Sequence, residues 1–189
     1  METMLGLVVG IGLSAACGFR VFVPLLGMSI AALSGTITLS PGFEWIGTRE
    51  ALTAFSTATV IEIAAYYIPW VDNTLDALMT PLAVVAGTIL TASLLGDLSP
   101  FLKWALAIMV GGGVSAIVQG GTVALRAASS GATGGLANIL ISSIELVGSI
   151  LVTVFAILLP LLGLAAVIWL CFKAVTTMAG SDFFKKLLG

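Results

Sequence analysis

Apolar residues run on in long uncharged stretches along this chain, and a few charges divide them. Residues 3–19 carry no charge, Arg20 interrupts, and residues 21–43 are uncharged again. That is too long for one helix to cross ~30 Å of hydrocarbon at ~1.5 Å per residue. Pro24, Gly27 and Gly35 are natural places for a kink or an end. The pattern predicts a first membrane helix over about residues 3–33, bent or broken near Gly18–Pro24, followed by the loop SGTITLSPGFEWIGT. A second span covers residues 50–68 and carries Glu62, and a short polar connection holds Asp72, Asn73 and Asp76. The third fills residues 77–96, with Pro81 near its first turn, where proline is tolerated. After the break LGDLSP, a fourth runs over residues 103–125 and contains GGG at 111–113 and GG at 120–121. Arg126 and a flexible linker, AASSGATGG, come next. Residues 136–178 hold one internal acid, Glu145, and as a straight helix would be ~65 Å long, about twice the bilayer core. They fold back, at LLPLLG in 158–163. The reading is all-α, with about six membrane segments.

The two halves echo each other. GIGLSA at 10–15 lies 101 positions before GGGVSA at 111–116, IEIA at 61–64 lies 83 before IELV at 144–147, and PLAVVAG at 81–87 lies 79 before PLLGLAA at 160–166. Offsets that shrink in order fit two copies of a three-helix unit, residues 1–100 and 101–189, within a single membrane domain. An odd count of crossings inverts the second copy about an axis in the membrane plane. The first and fourth helices are expected to be bent or broken.

Composition sharpens the class. Of 189 residues, 59% are hydrophobic and 8% charged, far from the roughly one quarter charged that soluble domains carry. With 22 glycines besides, only a membrane protein fits. The start, METMLGLVVG, has no basic segment and no cleavage site, so it reads as the first helix rather than a signal peptide. Cys17 and Cys171 read as small buried side chains, and the net charge of −2 implies no partner. Arg126, Lys173, Lys185 and Lys186 place their regions in the cytoplasm by the positive-inside rule; six crossings then put the N-terminus there too, with Arg49 and Lys103 opposed. This favours an inner, cytoplasmic membrane. Trp45, Trp70, Trp104 and Trp169 near span ends fit the interfacial belt.

Three stretches, GLSAACGFRVFVP at 12–24, the acidic second helix with PWVDNTLD at 69–76, and TPLAVVAG at 80–87, carry a resemblance. The chain resembles small bacterial multi-spanning proteins grouped as a domain of unknown function, with a glycine-rich first helix running into a Gly-hydrophobe-Arg motif. The resemblance implies a membrane protein with the Arg20 and Asp72 regions as family features, and no activity.

Arg20 has three readings: snorkelling to an interface, a structural ion pair with Glu62 or Glu145, or a ligand site. Glu62 and Glu145, isolated at matching places in the two halves, read as a cation or proton path, as counter-charge to Arg20, or as neutral acids in a dry core. GLVVG at 6–10 and the small residues of 27–35 allow close helix packing. The denser glycines of 111–113 and 120–121 expose backbone where two broken helices cross, so a site there takes Arg20 for charge, Gly18, Gly112 and Gly120 for backbone access, and Glu62 and Glu145 for coupling or balance. Asp72, Asn73 and Asp76 form a secondary polar patch, read as helix capping at the interface; cation coordination wants more oxygen ligands. Without histidine, a nucleophile–base pair or a phosphate loop, no enzyme, metal or cofactor is expected, and no nucleic acid. The expectation is a small transporter or channel for a small anionic solute or ion, in the lipid bilayer and as a homodimer. The alternative is a structural or accessory protein that binds lipid or a protein partner.

Overall fold

The computed structural model describes residues 2–68, 71–135 and 137–180, with the side chains at 2, 72, 73, 163, 166 and 174–180 outside the description. Among these residues the structure is helical, without a strand. Helices α1 (Glu2–Cys17) and α2 (Phe22–Leu33) flank a break, and a 3-10 turn over Glu44–Gly47 leads into α3 (Arg49–Tyr66) and α4 (Val71–Ala92). A short α5 (Pro100–Leu106) continues through a π-helical stretch, Ala107–Gly112, into α6 (Gly113–Thr133); α7 (Asn138–Leu158) and α8 (Pro160–Gly180) follow. Thr48 and Ser99 cap α3 and α5 through their hydroxyls, and left-handed Gly134 (φ 63°) ends α6. Pro160 has no amide for the Ala156 carbonyl, so the α7 ladder stops within the expected 158–163 turn.

The first apolar segment breaks where expected and turns back on itself. A Cβ on Gly6 would meet the Leu94 carbonyl and one on Gly10 would lie 3.1 Å from Thr91, so α1 starts beside the C-terminal end of α4 and runs against it. After the break the chain returns. Ser40 donates its amide to the Ser93 carbonyl at 2.7 Å and its hydroxyl to the Ala92 carbonyl at 3.1 Å. Residues 6 and 40 thus sit at one end of the bundle, the near face, and residues 18–21 are the tip of a re-entrant hairpin. Such a turn within a membrane is tolerated only where protein or a water-filled cavity surrounds it. Here α7 does so: the Arg20 guanidinium bonds the Ser142 carbonyl, Ser149 bonds the Ala16 carbonyl, and Gly12 and Gly27 lie against Ala156 and Thr153.

The helix directions correct one expectation. Ser115 Oγ donates to the Ser14 carbonyl at 2.7 Å, and farther along Thr122 Oγ1 reaches the Gly18 carbonyl at 3.5 Å, so α6 runs parallel to α1. The match of GIGLSA with GGGVSA therefore pairs helices of the same direction, which an inverted repeat forbids. The fourth helix, expected to be bent or broken, is not split in two but carries a π-helical stretch. Gly111 and Gly112 press on Gly87, Thr88 and Thr91 of α4, and the ladder widens into a π turn instead of opening. Helix α6 also runs through the expected linker to Thr133, and α4 begins at Val71, so the connection around Asp72 to Asp76 is helical and Pro81 lies inside the helix.

A polar seam runs through the apolar interior of the bundle. Helix α6 buries Ser115, Gln119, Thr122 and Arg126, and α7 buries Asn138, Ser142, Glu145, Ser149 and Thr153, each set at helical spacing. The outer side of α7 exposes Leu140, Ile144, Val147 and Leu151. Thr74–Ala92, Pro100–Thr133 and Asn138–Leu158 are long and apolar enough to cross a membrane; α3, with Arg49, Glu50 and Glu62, is not among the helices that meet this measure. This is an all-helical membrane protein.

Candidate functional site

The hairpin tip is held by a carboxylate. Helix α1 ends in short turns, with the Gly18 and Phe19 amides bonding the Ala15 and Ala16 carbonyls. Helix α2 then begins with amides that have no partner in their own helix. Glu62 of α3 takes two of them, accepting from Val21 N at 2.8 Å and Phe22 N at 3.1 Å. A carboxylate at a helix N-terminus is favoured by the dipole as well as by the bonds. Gly18 lets α6 pack against the end of α1: a Cβ there would lie 2.5 Å from Val118 Cβ and 2.9 Å from the Gln119 amide.

At the tip of the hairpin sits a charge cluster. Arg20 and Arg126 are each 1% exposed, and Glu62, Glu145 and Asp76 are 2%, 3% and 6% exposed. Glu145 Oε2 accepts from Arg126 Nη2 and lies 3.8 Å from Arg20 Nη2; Asp76 Oδ1 accepts from Arg126 Nη1 and from the Tyr66 hydroxyl. The Tyr66 ring is stacked by both guanidiniums, at 3.8 Å to Arg20 and 4.2 Å to Arg126. A cation over an aromatic face is attracted by the ring quadrupole, more strongly when dry. Arg20 is therefore not snorkelling. It is closed off in this conformation, and its Nε and Nη1, with Arg126 Nε, Glu145 Oε1, Ser142 Oγ and Gln119 Nε2, are buried without a hydrogen-bond partner.

Of the residues singled out in the sequence, Arg20, Gly18, Glu62 and Glu145 meet here. Gly112 does not: a Cβ on it would lie 2.8 Å from Thr88 Oγ1, against α4 and away from the tip. Gly120 is half-buried within the unbroken α6. Asp76 is a partner of Arg126 rather than an interfacial cap, while the side chains of Asp72 and Asn73 lie outside the described residues. Arg126 and Tyr66 were missed. At the end of an apolar run Arg126 looks like a loop charge, and buried in an ion pair it cannot report orientation. Its signal is the polar spacing 115, 119, 122, 126; Tyr66 stands one helical turn after Glu62. Among the described residues no three His, Cys, Asp or Glu side chains group to hold a metal ion.

No curated protein and no solved structure matches this chain. The family model for a domain of unknown function (DUF4126) matches residues 7–179, and by that extent the chain belongs to this family.

Proposed function

We propose that the protein is a small membrane transporter or channel for a small anionic solute, with its site at the tip of the α1–α2 hairpin. The polar seam inside the bundle supports this reading. From the near face it passes Thr91 and Ser14, which share a 2.9 Å hydrogen bond, then Ser115, Gln119 and Thr122, and reaches Arg20 and Arg126; Ser142 and Asn138 continue toward the α6–α7 turn. Ser, Thr and Gln side chains bond across helices in many bundles, but two buried arginines with unpartnered donors exceed what packing needs. Each buried polar atom left without a partner costs roughly 1–3 kcal/mol, and several border this seam. Arg20 supplies the charge for an anion, through the Nε and Nη1 hydrogens that nothing takes up. Helices α3 and α7, and α4 and α8, run in opposite directions, which supports an inverted relation for those two pairs. The accessory reading is favoured by one observation, the closure of Arg20 to solvent.

Flux decides between them. Purified protein in liposomes should release chloride, nitrate or formate faster than protein-free vesicles, and Arg20→Lys should slow that release by about tenfold, since an ammonium does not replace the planar five-donor group. Wild-type flux equal to that of empty vesicles would leave the structural role standing.

A further inference from the structure

Among the described residues the cluster contains two guanidinium groups and three carboxyl groups, one more acid than base if all are ionised. Unbalanced charge in so dry a site is costly, and a bound proton removes it. The hydrogen bonds tell the three acids apart. Glu62 uses both oxygens on the amides of Val21 and Phe22, at the end of a helix whose dipole favours an anion. Asp76 accepts from Arg126 and from Tyr66. Glu145 accepts from Arg126 through Oε2, while its Oε1 is buried and receives nothing. An ionised oxygen with no donor is poorly placed, but as O–H it needs only one acceptor. Ser142 Oγ, three residues earlier on the same face of α7, is buried without a partner.

We infer that Glu145 carries one exchangeable proton on Oε1, and that this proton and a small monovalent anion on Arg20 bind cooperatively. The coupling rests on the transport reading above; the proton assignment does not. The carboxylate that Arg20 touches is Glu145, at 3.8 Å, and its other contacts are the Ser142 carbonyl and the Tyr66 ring. Protonating Glu145 leaves the charge of Arg20 free for an incoming anion, and an anion there favours the protonated acid in turn; linkage makes the two effects equal. The groups that face Glu145 are Arg20 at the tip, Asp76 on α4 and Arg126 on α6, while Glu62 and Tyr66 on α3 act on the same Arg20. The two arginines keep their charge at any accessible pH, Glu62 and Asp76 each accept from two donors, and Glu145 has the undonated oxygen that can carry the proton.

Two measurements on the purified full-length protein separate the parts. Infrared spectra should show the carbonyl stretch of a protonated carboxyl group, lost in Glu145→Gln, retained in Glu62→Gln and shifted in frequency in Glu145→Asp. A wild-type spectrum without that band, or a band that survives Glu145→Gln, overturns the assignment, and the wild-type spectrum decides even if the variants do not fold. Formate added to weakly buffered protein, at the pH where the infrared band has fallen to half, should draw protons from solution, seen with a pH dye, and Glu145→Gln should bind formate without that uptake. Formate binding with no proton uptake in the wild type overturns the coupling while leaving an anion site in place. No binding of formate, nitrate or chloride removes the anion site and the coupling together, and the infrared band still decides the proton.

Discussion

Tyr66 is the residue on which the two arginines agree. Neither guanidinium can lose its charge, and they approach each other only because the ring lies between them and Glu145 beside both. Ring and hydroxyl are separable. Tyr66→Phe gives up the 3.1 Å bond to Asp76 but keeps both stacked faces; Tyr66→Leu gives up both. A desolvated cation–π contact contributes about 2 kcal/mol and a hydrogen bond to a charged group about 1.5–3 kcal/mol. Tyr66→Leu should therefore lower stability in detergent by clearly more than Tyr66→Phe, and equal losses would mean that stacking contributes nothing. Arg126 is tested by a cycle. Arg126→Met strands two acids and should cost about 3–5 kcal/mol, the cost of breaking a buried pair from one side. Adding Asp76→Asn should then cost much less than it does alone, and additive losses in equilibrium unfolding would show that the two side chains do not act as a pair.

At the scale of elements, close approach between α4 and the π-helical stretch fixes where α6 lies. A Cβ on Gly87 would collide with Ser115 Oγ and sit 3.0 Å from the Gly111 carbonyl, whereas one on Gly113 meets nothing within 4 Å. Gly87→Ala should destabilise by about 1–3 kcal/mol through overpacking, and Gly113→Ala should be neutral or stabilising by up to about 1 kcal/mol through helix propensity. Thermal unfolding of both variants in one detergent checks the contrast; loss of stability in Gly113→Ala would mean that its side faces a surface absent from the monomer. Much of this layer was legible in the sequence. The break after Gly18, the turn at Pro160 and the helices between them follow from Gly, Pro and the length of the uncharged runs. Two things were not. The direction of α2 depends on Glu62 capturing amides forty residues away, and no local pattern encodes that turn. Arg126 was legible only through its spacing with Ser115, Gln119 and Thr122, a weaker signal than the apolar run that it closes.

For the whole molecule, the return of α2 changes the count of crossings. With a first helix that crosses, six segments bring both ends of the chain to one side. In the structure α1 and α2 begin and end at the near face, and α3 starts there too, since Gly47 just before it packs on Ala32 and Leu39. Helix α4 comes back to Ser93 beside Ser40, α5 and α6 run away to Thr133, α7 returns, and α8 leaves from Pro160 alongside α1, burying Val167 against Ala15, Ala16 and Val152. Helix α1 begins, and α8 ends, at opposite ends of the bundle. The length of α1 fits a re-entrant element: with 16 residues it rises ~24 Å, less than the ~30 Å core. A tag at the N-terminus and a cysteine at position 38, between α2 and α3, should therefore be reached from the same side, and a cysteine at position 133 from the other. The experiment uses Thr38→Cys and Thr133→Cys, each in a Cys17→Ala, Cys171→Ala background, with a membrane-impermeant thiol reagent and a protease acting on the tag in sealed vesicles. A crossing first helix predicts the opposite pairing, with the tag sharing its side with position 133. That result would move Arg20 from the tip of a hairpin to the middle of a span, and would take with it the account of why Glu62 faces the amides of Val21 and Phe22.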